Sequence, residues 1–222
     1  LHCHTRMSDG STGIDELISL AKKSDVTTIS ITDHDTFAGS VRGNVIGKRN
    51  GVTVIPGVEI STVDNSRGKK AHILCYFPVN PDRLEGTLKK TSDNRRKSMM
   101  ISIQKVMCLY PITADMILRR AQGSTNLFKQ HIMQTLMDSG YADTMFGDVF
   151  QKLFNPKIGF AYTKVEYPSV FDIIDDIHEA GGVAVLAHPS ENNSMDVLSE
   201  LCEKKLIDGV ELSHPRNTEE DC

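Results

Sequence analysis

Val26-Thr27-Thr28-Ile29-Ser30-Ile31-Thr32-Asp33-His34-Asp35-Thr36 is the stretch on which the fold turns. Val26 to Ile31 is a short apolar run rich in β-branched residues, the pattern of a parallel strand buried on both faces. It passes directly into a cluster of ligand-type side chains centred on His34. Upstream, Ser24 and Asp25 end a helix whose apolar face is Ile14, Leu17, Ile18 and Ala21, with Thr12 placed to cap it. Downstream, a short helix stops at Gly51 and Val52 to Ile55 forms the next strand. Pro56-Gly57 punctuates that strand and delivers Val58-Glu59-Ile60-Ser61. A polar turn over 64–70 follows, then a strand from Ala71 to Phe77 that carries His72. This alternation predicts a parallel α/β sheet or barrel. In such folds active sites gather at the carboxyl ends of strands.

The chain opens on Leu1-His2-Cys3-His4-Thr5. On an extended strand the two imidazoles project to one face and Cys3 to the other, which makes half of a metal site. No signal peptide precedes Leu1, and a chain that opens on a strand is expected to have lost its true start. From 84 to 160 helices replace strands: Asn94 to Leu109, Thr113 to Gln122, and Phe128 to Ser139 with Gly140 as the stop. The expected organisation is therefore a first barrel part (1–83), a helical insertion or cap (84–160) and a second barrel part (161–222). Met99, Met100, Met107, Met116, Met133, Met137 and Met145 are expected as core filler of the cap. Lys89, Lys90, Arg95, Arg96 and Lys97 form a basic run, a solvated face that can also supply phosphate contacts. The α/β pattern then returns, with a helix from Ser169 through Ala180. A buried strand, Val183 to Ala187, ends at His188-Pro189. A helix (Met195 to Lys204) leads to a last strand, Leu206 to Leu212, ending at His214-Pro215.

Composition narrows the classes. The 222 residues are 39% apolar and 24% charged, the range of a soluble globular chain, and the formal net charge of −4 gives no global pull toward nucleic acid or anionic membrane. No apolar run reaches the roughly 18 residues of a membrane span. Cys3, Cys75, Cys108, Cys202 and Cys222 are scattered and odd in number, which predicts reduced thiols and a cytoplasmic protein.

His2, His4, Asp9, His34, Glu59, His72 and His188 fall almost entirely at expected strand ends or in the loops beside them. One such histidine is usually a hydrogen-bonded turn residue; a whole set on one rim is a metal centre. No serine or cysteine sits on a nucleophile elbow. The donors are too many for one zinc, so two or three divalent ions (Mn, Fe or Zn) are expected, with Glu59 able to bridge two. Such centres hydrolyse: a bridging water of lowered pKa attacks an electrophile whose oxygens the metals hold, and phosphate esters suit that arrangement best.

These segments resemble the polymerase and histidinol phosphatase (PHP) domain. The motifs are Leu1-His2-Cys3-His4-Thr5 with Ser8-Asp9-Gly10, Ile31-Thr32-Asp33-His34-Asp35-Thr36, Pro56-Gly57-Val58-Glu59-Ile60-Ser61, His72 in Ala71-His72-Ile73-Leu74, and Val185-Leu186-Ala187-His188-Pro189. Lys129-Gln130-His131-Ile132 and the run from Ala180 to Val185 resemble its stand-alone phosphoesterase branch. That branch acts on nucleoside monophosphates, 3′,5′-bisphosphates and short 5′-phosphorylated oligoribonucleotides. The resemblance implies a distorted (β/α)7 barrel with a helical cap and a trinuclear site. His2, His4 and Glu59 would serve one metal, Asp9 and His34 a second, and Glu59, His72 and His188 a third. The family places a final Asp-x-His beyond the last strands; this chain ends before one, and Glu220-Asp221-Cys222 does not supply it.

Glu59, Asp35 and His131 are the expected catalytic residues; Arg95, Arg96, His131 and His214 are expected to contact substrate, with Lys164 a weaker candidate. Asp33 and Asp35 flank His34 as possible orienting acceptors, His178 is read as surface and Cys75 as core. The expected partner is a phosphorylated small molecule or short nucleic-acid strand, with neither stable duplex nor membrane. Histidinol phosphate phosphatase activity, or a non-catalytic metal-binding PHP module, are the alternatives.

Overall fold

A computed structural model describes residues 1–214. Expectations that fall on Pro215, Glu220, Asp221 and Cys222 lie outside the described residues. In chain order the elements are α1 (Ile14–Lys23), β1 (Thr28–Ile31), α2 (Ala38–Asn50), β2 (Thr53–Asp64), β3 (Lys69–Tyr76), α3 (Asp82–Met107), α4 (Ala114–Arg120), α5 (Lys129–Asp138), α6 (Asp148–Phe154), α7 (Val170–Glu179), β4 (Val183–Ala187), α8 (Met195–Glu203) and β5 (Gly209–Val210). Two compact units result. Among the described residues, the first holds Leu1–Thr5, Thr12–Thr91 and 167–214; the second holds Arg6–Ser11 and Ser92–Glu166. Among the described residues no helix is long and apolar enough to cross a membrane.

The first unit is a mixed α/β structure whose five strands run in the order β1-β2-β3-β4-β5. The sheet is not parallel throughout. β1 pairs parallel with β2 and β4 with β5, whereas β3 runs antiparallel to both β2 and β4. The cause is the short turn between β2 and β3, which can make a hairpin but not a crossover. Asp64 builds that turn by accepting from the Ser66 backbone N–H and hydroxyl, at 2.8 and 2.6 Å. Pro56-Gly57 does not interrupt β2, which continues through them with Pro56 opposite Ile31. Gly57 is required by close approach, because a Cβ there would stand 2.8 Å from Ser30 Oγ. The last strand is shorter than Leu206 to Leu212, although Glu211 N–H still donates to Leu186 O at 2.9 Å.

Strand periodicity separates core from site. Val58 and Ile60 of β2, Ile73 and Cys75 of β3, and Ala184 and Leu186 of β4 pack with Ile173, Ile174 and Ile177 of α7 and with Val197 and Leu201 of α8. Side chains between these positions project to the opposite face, and Glu59 and His72 are among them.

Asp33 ties the opening segment to β1. It is fully buried and accepts from the Thr5 backbone N–H and hydroxyl, both at 2.7 Å. Cys3 bridges Ile31 in parallel register, and Thr32 N–H donates to Cys3 O at 2.9 Å. A Cβ at Gly39 would overlap Asp33 Oδ2 and stand 3.0 Å from Ile31 Cγ2. Gly39→Ala is therefore expected to destabilise the protein by about 1–3 kcal/mol, read as a lower urea midpoint at unchanged slope.

The second unit is helical. Met99, Ile103, Ile117, Ile132, Met133, Leu136, Leu153 and Phe154 form its core. Met99 and Met133 are buried there, while Met100, Met107 and Met116 are exposed and are not core filler. Thr113 caps α4 by accepting from Met116 N–H.

Candidate metal centre

Glu59 is 1% exposed and is ringed by imidazoles from four separate segments. Its placement follows from register: Glu59 N–H donates to Thr32 O at 3.2 Å and Asp35 N–H donates to Glu59 O at 2.9 Å, so His34 and Glu59 lie side by side. Asp35 turns there at φ +56° and its Oδ1 accepts from Ser61 N–H at 2.9 Å. Glu59 Oε1 meets His72 Nδ1 at 2.8 Å and His188 Nε2 at 2.9 Å. Glu59 Oε2 meets His4 Nε2 at 3.0 Å, His34 Nδ1 at 3.1 Å and His2 Nε2 at 3.3 Å. The Nε2 atoms of His2 and His4 are themselves 3.1 Å apart.

The electrostatics follow from this crowding. Burial alone would raise the Glu59 carboxyl, yet His34 and His72, with the hydrogen bonds of His188 and His2, hold it well below its usual range. Burial would lower His2, but hydrogen bonds and charge from Glu211 and Glu59 raise it to about 9. His188 is raised in the same sense, burial being outweighed by Glu59 and Glu191. The stability that His2 contributes is thus complete below its ordinary value of 6.5 and is lost as pH rises through about 9. In chelator, the melting temperature should drop by roughly 4–8 °C between pH 6.5 and 9, the equivalent of about 2 kcal/mol in a chain of this size. The groups facing His2 are Glu59, Glu211, His4 and His188. Saturating divalent metal should flatten or reverse that trend, since metals compete with protons for imidazole lone pairs.

The donor set fits divalent cations. His2, Glu59 and His188 form one grouping and His4, His34 and Glu59 another, with the ligand atoms of each within 4.8 Å of one another. Two nitrogens and a carboxylate oxygen per group, with Glu59 common to both, suit borderline ions that retain open positions. His2 and His4 both meet Glu59 Oε2, and His72 and His188 both meet Oε1, so neighbouring groupings share these ligands.

The other expected site residues lie as follows. Asp9, in the helical unit, accepts from Gln130 Nε2 at 2.8 Å. His131 is 8% exposed, and its Nδ1 accepts from Phe128 N–H at 3.2 Å, closing the start of α5; burial lowers its pKa, so the ring is neutral at pH 7. Arg95 is buried with its guanidinium 4.8 Å from the centre of the Phe128 ring, and Arg96 is exposed. Ser98 Oγ donates to Lys164 O at 2.9 Å, which engages that residue's backbone. His214 stands 3.6 Å from Glu191 and its ring lies 5.1 Å from that of His188. His178 is partly exposed and bonds Asp208 at 2.9 Å, and Cys75 is in the core. Sequence reasoning missed Glu211, which accepts from His2 Nδ1 at 3.1 Å; the one signal was that Gly209-Val210-Glu211 repeats Gly57-Val58-Glu59.

Glu59 lies within β2 and not at its end, because β2 runs on through Pro56-Gly57 to Asp64. A buried strand carboxylate encircled by histidines, on a mixed sheet backed by helices, defines a metal-binding hydrolase-type centre. The chain belongs to the PHP domain family, whose sequence profile matches residues 1–180. It is 32% identical to the phosphoribosyl 1,2-cyclic phosphate 1,2-diphosphodiesterase of Eggerthella lenta, over 98% of this chain and 83% of that protein. It is 34% identical to the 5′-3′ exoribonuclease Rnm of Escherichia coli over 87% of this chain, and spans 66% of that enzyme's length. In structure it matches a protein of Bifidobacterium adolescentis assigned as a metal-dependent phosphoesterase, with a TM-score of 0.88 and 27% identity over 99% of this chain and 78% of that one.

Proposed function

We propose that this protein is a metal-dependent phosphoesterase acting on phosphate esters of nucleotides: nucleoside monophosphates, 3′,5′-bisphosphates or short 5′-phosphorylated oligoribonucleotides. The observation that carries the proposal is the set of five imidazoles converging within 3.3 Å on the two oxygens of buried Glu59. The names of the relatives support the substrate class, since both the cyclic phosphodiesterase and the exoribonuclease act at a phosphoryl group.

His2, His4, His34, Glu59, His72 and His188 would hold two ions. The chemistry such ions supply when bound is neutralisation of the phosphoryl oxygens and a lowered pKa for water. The protein's own part is to keep Glu59 ionised and to fix the imidazoles around it. Asp35 holds the Ser61 backbone and so keeps β2 beside His34. Arg95, Arg96 and His214 are proposed as phosphate donors to substrate, because guanidinium and imidazole N–H groups match phosphate oxygens. His131, neutral at pH 7, is proposed to carry a proton as well as to bind. The free thiols of Cys3, Cys75, Cys108 and Cys202 support a reducing compartment, the cytoplasm.

Phosphate release should be measured with added Mn²⁺ on AMP, a 3′,5′-bisphosphate, a 5′-phosphorylated oligoribonucleotide, a ribose 1,2-cyclic phosphate ester and histidinol phosphate. Turnover of at least one nucleotide-type ester, well above that of histidinol phosphate, is expected. Absence of turnover on the whole panel, with metal verified as bound, would overturn the proposal.

A further inference from the structure

Glu211 has no role in the scheme above and lies beyond the residues that match the family profile. It follows β5, and its backbone N–H extends the pairing with β4 by donating to Leu186 O at 2.9 Å. The side chain is 15% exposed and turns toward the metal centre. Its two oxygens accept from His2 Nδ1 at 3.1 and 3.2 Å, and Oε2 also accepts from the His188 backbone N–H at 2.9 Å. One carboxylate therefore grips the ring of one candidate ligand and the main chain of another.

Both contacts have consequences for the centre. A histidine whose Nδ1–H is committed to a carboxylate presents Nε2 outward, with its lone pair available to a cation. For His2 that nitrogen is the one aimed at Glu59 Oε2 and His4 Nε2. His188 sits at φ +26°, a backbone conformation that a non-glycine residue holds only when its surroundings fix it. The bond from its N–H to Glu211 is such a fixture, and from that conformation its Nε2 reaches Glu59 Oε1 at 2.9 Å. The His2 and His188 rings consequently stack, with centroids 5.5 Å apart and planes inclined by 18°.

We propose that Glu211 is the positioning residue of the His2–Glu59–His188 grouping, setting which His2 nitrogen faces the ion and locking the His188 backbone. This rests on the metal-centre assignment above. Gly209-Val210-Glu211 is also the second Gly-Val-Glu of the chain, and each delivers its glutamate to the same cluster.

Two measurements on the full chain test the assignment, using Glu211→Ala, the near-isosteric Glu211→Gln, and Glu203→Gln on the exposed face of α8 as a charge control. The first is imidazole ¹H–¹⁵N correlation in metal-free protein. A downfield, slowly exchanging His2 Nδ1–H signal is expected in wild type and the control, absent in Glu211→Ala. The second is Mn²⁺ affinity by chelator competition. Both Glu211 variants should bind roughly 10–100-fold more weakly while keeping the wild-type circular dichroism. Retention of the His2 Nδ1–H signal in Glu211→Ala, or unchanged Mn²⁺ affinity in a folded Glu211→Gln, would overturn the assignment. A wild-type protein that binds no Mn²⁺ would instead sink the metal-centre assignment, and the metal-free spectra would still decide whether Glu211 holds His2.

Discussion

Glu59→Gln should reduce turnover by about 10³-fold or more while leaving the chain folded. Both oxygens of Glu59 face imidazoles, so the residue is the one atom pair common to the two groupings of candidate ligands. An amide offers one neutral oxygen where the carboxylate offered two sharing a negative charge. Two cations held close together need that charge between them, and without it they repel at short range in a water-poor setting. Metals in such centres contribute several kcal/mol of transition-state stabilisation, and a loss of about 4 kcal/mol is about 10³-fold in rate. The fold should survive, because the hydrophobic core lies on the opposite face of the sheet, where Val58 and Ile60 flank Glu59. Turnover within about threefold of wild type would remove Glu59 from the reaction. The comparison should be made at saturating Mn²⁺ and again with metal content measured, so that a binding loss and a catalytic loss are separated.

The second large effect is that of metal itself. A chelator should abolish phosphate release and lower the melting temperature by roughly 8–16 °C relative to saturating Mn²⁺. The magnitude comes from mass action: a ligand at about 1,000 times its Kd stabilises the native state by about 4 kcal/mol, and each kcal/mol is about 2–4 °C for a chain of this length. The structure gives a reason for the shift to be large. His2, His4, His34, Glu59, His72 and His188 come from segments widely separated along the chain, and an ion gathers them only in the native state. Readdition of Mn²⁺ should restore both quantities. A melting temperature indifferent to chelation, in protein shown to have contained metal, would mean that the ions are not held by these segments.

Much of the histidine cluster around Glu59 was legible in the sequence because its signal is local. His34 and His188 each sit where an apolar run gives way to polar residues, and the spacing of His2 and His4 alone places them on one face. Glu59 differs, lying between Val58 and Ile60 within β2. Strand direction was not legible. The turn after Asp64 was visible, but a hairpin there breaks the strand–helix–strand alternation that suggested a parallel sheet, and nothing in the apolar pattern of β3 reports its direction. Asp33 shows a different limit. Its position beside His34 suggested an orienting role, yet its carboxylate holds Thr5, a long-range partner that spacing cannot disclose. Glu211 was missed because β5 is only two residues long and gives a weak strand pattern. His131 stood out through the resemblance of Lys129-Gln130-His131-Ile132 to the phosphoesterase branch, but its Nδ1 closes the first turn of α5, a contact that becomes evident only once the helix start is placed at Lys129.

The most direct measurement of the central claim is anomalous diffraction at the manganese edge from crystals grown with Mn²⁺. At least two peaks bonded to Glu59 are expected, one against Oε1 with His72 and His188, the other against Oε2 with His4 and His34. Peaks located elsewhere on the protein, with none bonded to Glu59, would contradict it.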